Sequence, residues 1–265
     1  MVKVNVTKVK RWKAPSKNDV RVLGMPNIPK PLHGPGCQPR TIVGATKWNQ
    51  MRLRCYENAG YKCEVCGFQG EPGKAQLHAH EIFDIDYEKG TSTFVRLACL
   101  CPKCHLSFIH SGRALTMFKN HNPIYSKEKL LEGAEHGFKL IAEYNKTHKR
   151  KIKVFSAMAD YLRQPELEED MDKLVKKYGI SFYSPISVKK GAAKWEDWRM
   201  VWNGREYYTP YKDEEAWAKK MDELNTRDSR GEMTKRMSGG VFDEIDKILQ
   251  EELTGGKNGD INTKE

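Results

Sequence analysis

Apolar positions are sparse along this chain and change period from one segment to the next, so its elements can be read in order. In WNQMRLRCYENAGY, Trp48, Met51, Leu53 or Cys55, Tyr56 and Ala59 recur near helical spacing, which predicts a helix that Gly60 ends. YKCEVCGFQGEPGKAQ is a turn-rich loop. AQLHAHEIF alternates with the period of a strand, TSTFVRLACLC reads as a second strand, and CPKCHLSFIHSGRALTMFK begins a helix. Beyond residue 125, Ser126 is suited to cap a helix in which Leu130, Leu131, Ala134, Phe138, Ile141 and Tyr144 follow the 3.6-residue period. FSAMADYLRQPELEEDMDKLVKKYGI reads as two helical pieces broken at Pro165, the second closed by Gly179.

The pattern then returns to period two. In KWEDWRMVWNGREYYTPY, Asn203-Gly204 is a hairpin signal, because both residues tolerate the positive φ of a type I′ turn. Trp198, Met200 and Trp202 fall on one face and Arg199 and Val201 on the other. Such aromatics can stack on unpaired bases. The expected use is the duller one, the core of a small hairpin packed on DEEAWAKKMDEL. TRDSRGEMTKRMSGG is a polar linker, and VFDEIDKILQEEL puts Val241, Ile245, Ile248 or Leu249, and Leu253 on one stripe of an acidic helix. At 13 residues that helix is marginal alone, so it is expected to dock on this protein or on a protein partner. The final GGKNGDINTKE is expected to be disordered, and no internal repeat is visible.

With 265 residues, 38% hydrophobic and 31% charged, the chain is lean for a single globule. The expected organisation is modular: a basic arm (1–46), a cysteine-rich module (47–123), a helical region (124–190), an aromatic hairpin plus helix (191–225), and a linker, short helix and tail (226–265). No run of about 18 apolar residues spans a bilayer, and the N-terminus lacks the apolar core of a secretory signal; a soluble cytoplasmic protein with no membrane partner is expected.

Charge sharpens this picture once it is located. Residues 1–60 hold 12 Lys and Arg against two acids, a net of +10, whereas the other 205 residues hold 34 against 33. A concentrated cationic arm seeks a polyanion, which makes nucleic acid the expected partner, through Lys8, Lys10, Arg11 and Lys13. The alternative is a solvated tail.

Seven cysteines are an odd number for a disulfide framework. Cys63-x-x-Cys66 and Cys101-x-x-Cys104, separated by 34 residues, supply the four thiolates that tetrahedral zinc requires. Cys37, Cys55 and Cys99 are left as packing residues. Between the two pairs, LHAHEIFDID crowds His78, His80, Glu81, Asp84 and Asp86 into ten positions; the two aspartates read as solvated turn residues. Strand, strand, helix, with zinc pinning the open side, makes an α+β unit.

The series Cys-x-x-Cys-Gly, LHAHEIFDID, LACLCPKCH and FIHSG, with RCYENAGYKCEVCG before it, resembles the zinc-ribbon branch of the HNH endonuclease family over about residues 47–120. IPKPLHGPGCQPRTIVG upstream also resembles the leader of phage-borne HNH-like proteins, which implies a phage-infected bacterial host. The resemblance implies a ββα-metal fold, with the helical region and hairpin appended, and metal-dependent cleavage of phosphodiester bonds in DNA. It implies a second, catalytic divalent ion, Mg²⁺ or a similar one, held by His80 and His105 with His110 assisting. Two positions depart from the family pattern. His80-Glu81-Ile82 stands where Asp-His or His-His precedes Ile, which makes Glu81 the base; Arg96 stands where an Asn is usual. Glu81 as base, His78 as base, and a module that binds nucleic acid without cutting all remain open. Arg113 is a candidate phosphate clamp, and the basic KTHKRKIK suits a helix C-terminus.

Overall fold

A computed structural model describes residues 6–74, 76–121 and 125–229. The two period-two runs form the longest ladder in it. β3 (His78–Asp86) and β4 (Thr91–Leu100) pair antiparallel from His78 opposite Leu100 to Asp86 opposite Thr91, with a register shift between Ile82 and Phe83. Short strands extend this hairpin on both sides. β2 (Arg11–Trp12) pairs with Asp86 and Ile85, and β7 (Arg199–Trp202) joins β4 in parallel and carries β8 (Arg205–Tyr208), giving the order β2-β3-β4-β7-β8. Because β2 covers only the far end of β3, no strand among the described residues flanks the His78–Glu81 end opposite β4.

Within the described residues most of the sequence-predicted helices are present, the one after the second cysteine pair in altered form. α1 (Pro39–Asn58) starts earlier than the apolar period indicated: Pro39 occupies its first turn, and Gly44 (φ 77°, ψ 169°) breaks it into two helical pieces. Pro102–Cys104 (α2), a five-residue π-helical turn over His105–Ile109, and α3 (Ser111–Lys119) replace the single expected helix after the second cysteine pair. Ser126 caps α4 (Lys127–Thr147) by accepting from Lys129 N–H. α5 (Ala159–Leu162) and α6 (Glu168–Tyr178) flank Pro165, and Gly179 closes α6 in the left-handed region at φ 61°. A second, three-stranded sheet has the order β1-β6-β5, all parallel: β1 (Val6–Val9), β6 (Phe182–Pro185) and β5 (Val154–Phe155).

Two expectations about the N-terminal part change. The basic segment is no free arm, since β1 and β2 are built into both sheets. Asp84 is a strand residue and binds Lys13; Asp86 ends the strand, binds Arg11, and holds the turn by accepting from Glu88 and Lys89 N–H at 3.0 Å each.

The main core joins residues from both sides of position 123: Ile82, Ala98 and Leu100 of the sheet, Phe108 and Ile109 of the π-turn, and Leu130, Ala134, Phe138 and Ile141 of α4, all buried. A second cluster holds Trp198 and Met200 with Leu32, Phe83, Ile85 and Tyr87, so the hairpin aromatics are core residues. Asn203 (φ 50°) and Gly204 (φ 73°) make the expected turn. A third cluster sets Leu53 and Tyr56 of α1 against Leu77, Ala79 and Cys99.

The chain divides into two units, residues 1–212 and 213–265; in the second, the described part is helix α7 (Glu214–Ser229). The expected partner-docking helix over 241–253 lies outside the described residues. Among the described residues no helix is long and apolar enough to cross a membrane.

Candidate metal centre

The four paired cysteines converge. The Sγ atoms of Cys63, Cys66, Cys101 and Cys104 all lie within 4.8 Å of one another, and Cys66 and Cys101 are 3.6 Å apart. A tetrahedral ion with metal–sulfur bonds near 2.3 Å sets its sulfurs about 3.8 Å apart, so the cluster fits a metal such as zinc. Proximity also divides the thiol protons unequally. Hydrogen bonds from Cys101, Cys104 and Cys66 hold the Cys63 thiol far below the usual range, and a hydrogen bond from Cys104 lowers Cys101 to about 7. Hydrogen bonding with Cys101 pushes Cys66 and Cys104 up in exchange, so thiolate, the ligating form, resides at Cys63 and, near neutral pH, at Cys101. Burial instead pushes Cys37 up to about 11 and both Cys55 and Cys99 up to about 12, the behaviour of packing thiols.

Local structure explains how two knuckles so far apart in sequence meet. The antiparallel register brings the residues before Leu77 beside those after Leu100, and Glu64, inside the first knuckle, locks the join. Its N–H donates to Cys99 O at 2.9 Å, and its Oε1 accepts from Cys99 N–H at 3.1 Å. Its Oε2 accepts from Arg96 Nη1 at 2.7 Å. Arg96, where the resemblance led one to look for an Asn, thus orders the first knuckle, and its Nη2 ties in Ser16 O at 2.9 Å.

A second constellation adjoins the first through Cys104 and His105. One ring nitrogen from each of His80, His105 and His110 lies within 4.8 Å of the others, and His105 Nε2 is 3.1 Å from His80 Nδ1. His78 joins them, its ring 4.8 Å from that of His105. The helical period alone would separate His105 and His110 by about 140°. The π-turn removes this separation: His110 N–H donates to His105 O at 2.9 Å, an i→i+5 bond that brings both imidazoles to one side.

What presses the turn into this shape is α4. Gly133 lies against Ser107 and Gly137 against the Phe108 ring so closely that neither has room for a β-carbon. Phe108 is thereby wedged edge-on against Phe138, with ring centroids 5.6 Å apart.

Burial sets the protonation of the cluster. His80 is 5% exposed, and desolvation, reinforced by the charge of His110, holds its pKa well below the ordinary imidazole value. Desolvation lowers His105 strongly, His110 to about 4, and His78 as well. All four are neutral at pH 7, the form that binds metals. His80 Nε2 and His105 Nδ1 are buried without hydrogen-bond partners.

Glu81 stands apart. Alternation along β3 puts it on the face of Leu77 and Ala79, which pack toward α1, and not on the face of His78 and His80. It is half-buried, and desolvation raises its pKa against the opposing influence of Arg40. The Arg40 charge acts on His110 too, as does that of Arg113, which is exposed on α3.

The other sequence-nominated cations are held within the chain. Lys10 pairs with Glu88 (2.7 Å), Arg11 with Asp86 (2.9 Å) and Lys13 with Asp84, while Lys8 donates to Ser184 Oγ at 2.6 Å. Sequence reasoning missed four contributors: Glu64, the Gly133/Gly137 contact, Arg40, and His136, whose Nε2 lies 3.4 Å from Cys104 Sγ. The spacing of small residues in EGAEHGFK was the one signal that a close helix approach was coming. A ring nitrogen this close to a candidate ligand sulfur belongs to the surroundings that tune such a site from outside its ligands.

No family model, curated protein or solved structure matches the chain.

Proposed function

We propose that this protein is a metal-dependent phosphodiesterase of the HNH type acting on nucleic acid, DNA before RNA. The observation that carries the reading is the convergence of His80, His105 and His110 beside a separate four-cysteine cluster. Zinc at the cysteines is structural, and His80, His105 and His110 hold the second ion. Three imidazoles without a carboxylate favour an ion that prefers nitrogen, such as Zn²⁺, over the Mg²⁺ expected from the resemblance. Such an ion, when bound, supplies charge stabilisation for the scissile phosphate and an acidified water.

The chain's own groups do the rest. His80 and His105 fix the ligand geometry through burial. His78, half-buried on the cluster's face, is better placed than Glu81 to accept the proton of the attacking water. Arg40 and Arg113, both exposed, place positive charge near the cluster, where it would attract a phosphodiester.

Incubation of the purified chain with supercoiled plasmid and Zn²⁺, Mn²⁺ or Mg²⁺ tests this. Nicking is expected, reduced by about 10² to 10⁴ in His78→Ala and lost in His105→Ala, with Glu81→Ala much less affected. Nicking that survives in His105→Ala overturns the site.

A second reading, a nuclease-derived module that grips nucleic acid without cutting, is favoured by one observation. His80 and His105 are in mutual hydrogen-bond contact at 3.1 Å, so they partly satisfy each other with no ion. Binding without nicking under all three ions selects it.

A further inference from the structure

The excess positive charge that the sequence assigns to residues 1–60 is not distributed as its order suggests. Lys10, Arg11 and Lys13 face Glu88, Asp86 and Asp84 across the edge of the five-stranded sheet, and Arg21 pairs with Asp19 at its own helical turn. Each such pair is close to neutral at a distance, and a phosphate that took its cation would leave a carboxylate facing the phosphate. These four cations therefore offer a polyanion little net attraction, whereas Lys8 and Lys17 bond neutral oxygens, Ser184 Oγ and Asn58 O, and keep their charge.

α1 is different. Its twenty residues carry Arg40, Lys47, Arg52 and Arg54 against a single acid, Glu57. Only Pro39 and Tyr56 of this helix are buried. Past the Gly44 break, the inward stripe is Leu53, Tyr56 and the adjoining Ala59, packed on Leu77, Ala79 and Cys99. Lys47, Gln50 and Arg54 are all exposed, and their spacing of three and then four residues puts them on one outward stripe. Arg40, in the first helical piece, is exposed too, and its Nε donates to the neutral Gln38 Oε1 at 2.9 Å and not to a carboxylate. Its charge acts on both Glu81 and His110, and further along the helix Leu53 and Tyr56 pack on Leu77 and Ala79, the neighbours of His78 and His80 in the chain.

We infer that the outer face of α1, through Arg40, Lys47 and Arg54, is the surface on which a nucleic-acid phosphodiester backbone docks, in place of the acid-paired Lys10, Arg11 and Lys13. The inference rests on the nucleic-acid reading above and adds where the polymer lies. Contacts of this kind are to phosphates and carry no sequence preference, so the surface sets register and leaves any base reading to other residues. Each neutralised phosphate releases counterions, and binding to duplex weakens with salt by about 0.9 in log–log slope per contact.

The experiment follows binding of a fluorescein-labelled DNA duplex of about 20 bp by anisotropy across a salt series, using the full zinc-loaded chain. R40Q/K47Q/R54Q is expected to flatten the slope by about 2.7, and K47Q/R54Q by about 1.8. The charge-conserving R40K/K47R/R54K should keep the wild-type slope, which excludes a folding defect as the cause. K10Q/E88Q removes one N-terminal pair without changing net charge and should leave the slope alone. An unchanged slope in R40Q/K47Q/R54Q, or a loss in K10Q/E88Q, overturns the assignment while plasmid nicking continues to support the active site. Normal α1-dependent binding with no nicking under any ion instead removes catalysis and leaves the docking surface standing. A wild-type chain that binds no duplex at all overturns the surface.

Discussion

Replacing Gly137 by Ala tests whether α4 shapes the histidine cluster, because the direction of the effect depends on one contact. In an open helix this change is stabilising by about 1 kcal/mol through helix propensity. At Gly137 the new β-carbon would fall on the Phe108 ring, in contact with Cδ2 and Cε2 and 2.6 Å from Cγ, where carbons normally sit about 3.5–4.0 Å apart. Phe108 cannot yield freely, being 2% exposed and wedged against Phe138. Overpacking of this kind costs about 1–3 kcal/mol, and so tight a contact belongs at the upper end, leaving a net loss of about 2 kcal/mol. For a unit of this size that is a fall in Tm of roughly 4–8 °C. Gly112→Ala is the matched control, since nothing lies within 4 Å of its β-carbon. It should be neutral or stabilising by up to about 1 kcal/mol. Thermal unfolding of the zinc-loaded chain, followed by circular dichroism, supplies the numbers. Phe108 lies between His105 and His110, so competitive metal titration of Gly137→Ala should also show affinity at the imidazoles falling about tenfold or more. A Gly137→Ala protein that melts at or above the wild-type temperature refutes the account of the π-turn.

Two further outcomes follow from the cysteine cluster. Elemental analysis of the purified chain should find at least one equivalent of zinc, and a strong chelator should unfold the 47–120 region, since structural zinc contributes about 10–16 kcal/mol of apparent binding energy; less than about half an equivalent would contradict the four-thiolate assignment. Glu64→Ala strands Arg96 and the buried Cys99 N–H together, and should cost about 3 kcal/mol or more in denaturant unfolding. Glu64→Gln, which keeps the shape and one acceptor, should lose less; equal losses for the two would remove the charge from the explanation.

The four cysteines, the alternating β3 and β4 and the Asn203-Gly204 turn were legible because each depends on short-range rules: ligand spacing, strand period and backbone freedom at φ > 0. The same rules located His80 and His105 on neighbouring elements. They also assigned Trp198 and Met200 to a core, although its partners Leu32 and Phe83 come from distant parts of the chain. His110 was only a possibility, because five residues along an α-helix point away; packing of Gly133 and Gly137 against Ser107 and Phe108 accompanies the π-turn that brings it back.

Charge was where local reading fell furthest short. Sequence order concentrates cations before residue 61, and it determines how many there are; it does not determine which of them remain uncompensated. Strand pairing brings Asp84, Asp86 and Glu88 under Lys13, Arg11 and Lys10, across more than 70 residues of chain, whereas α1 turns Lys47 and Arg54 outward. The identity of the candidate ligating groups is therefore a property of the sequence. Their convergence, their protonation and the sign of the surface around them belong to the tertiary structure, because Coulomb and desolvation energies depend on distances through space that residue order does not specify.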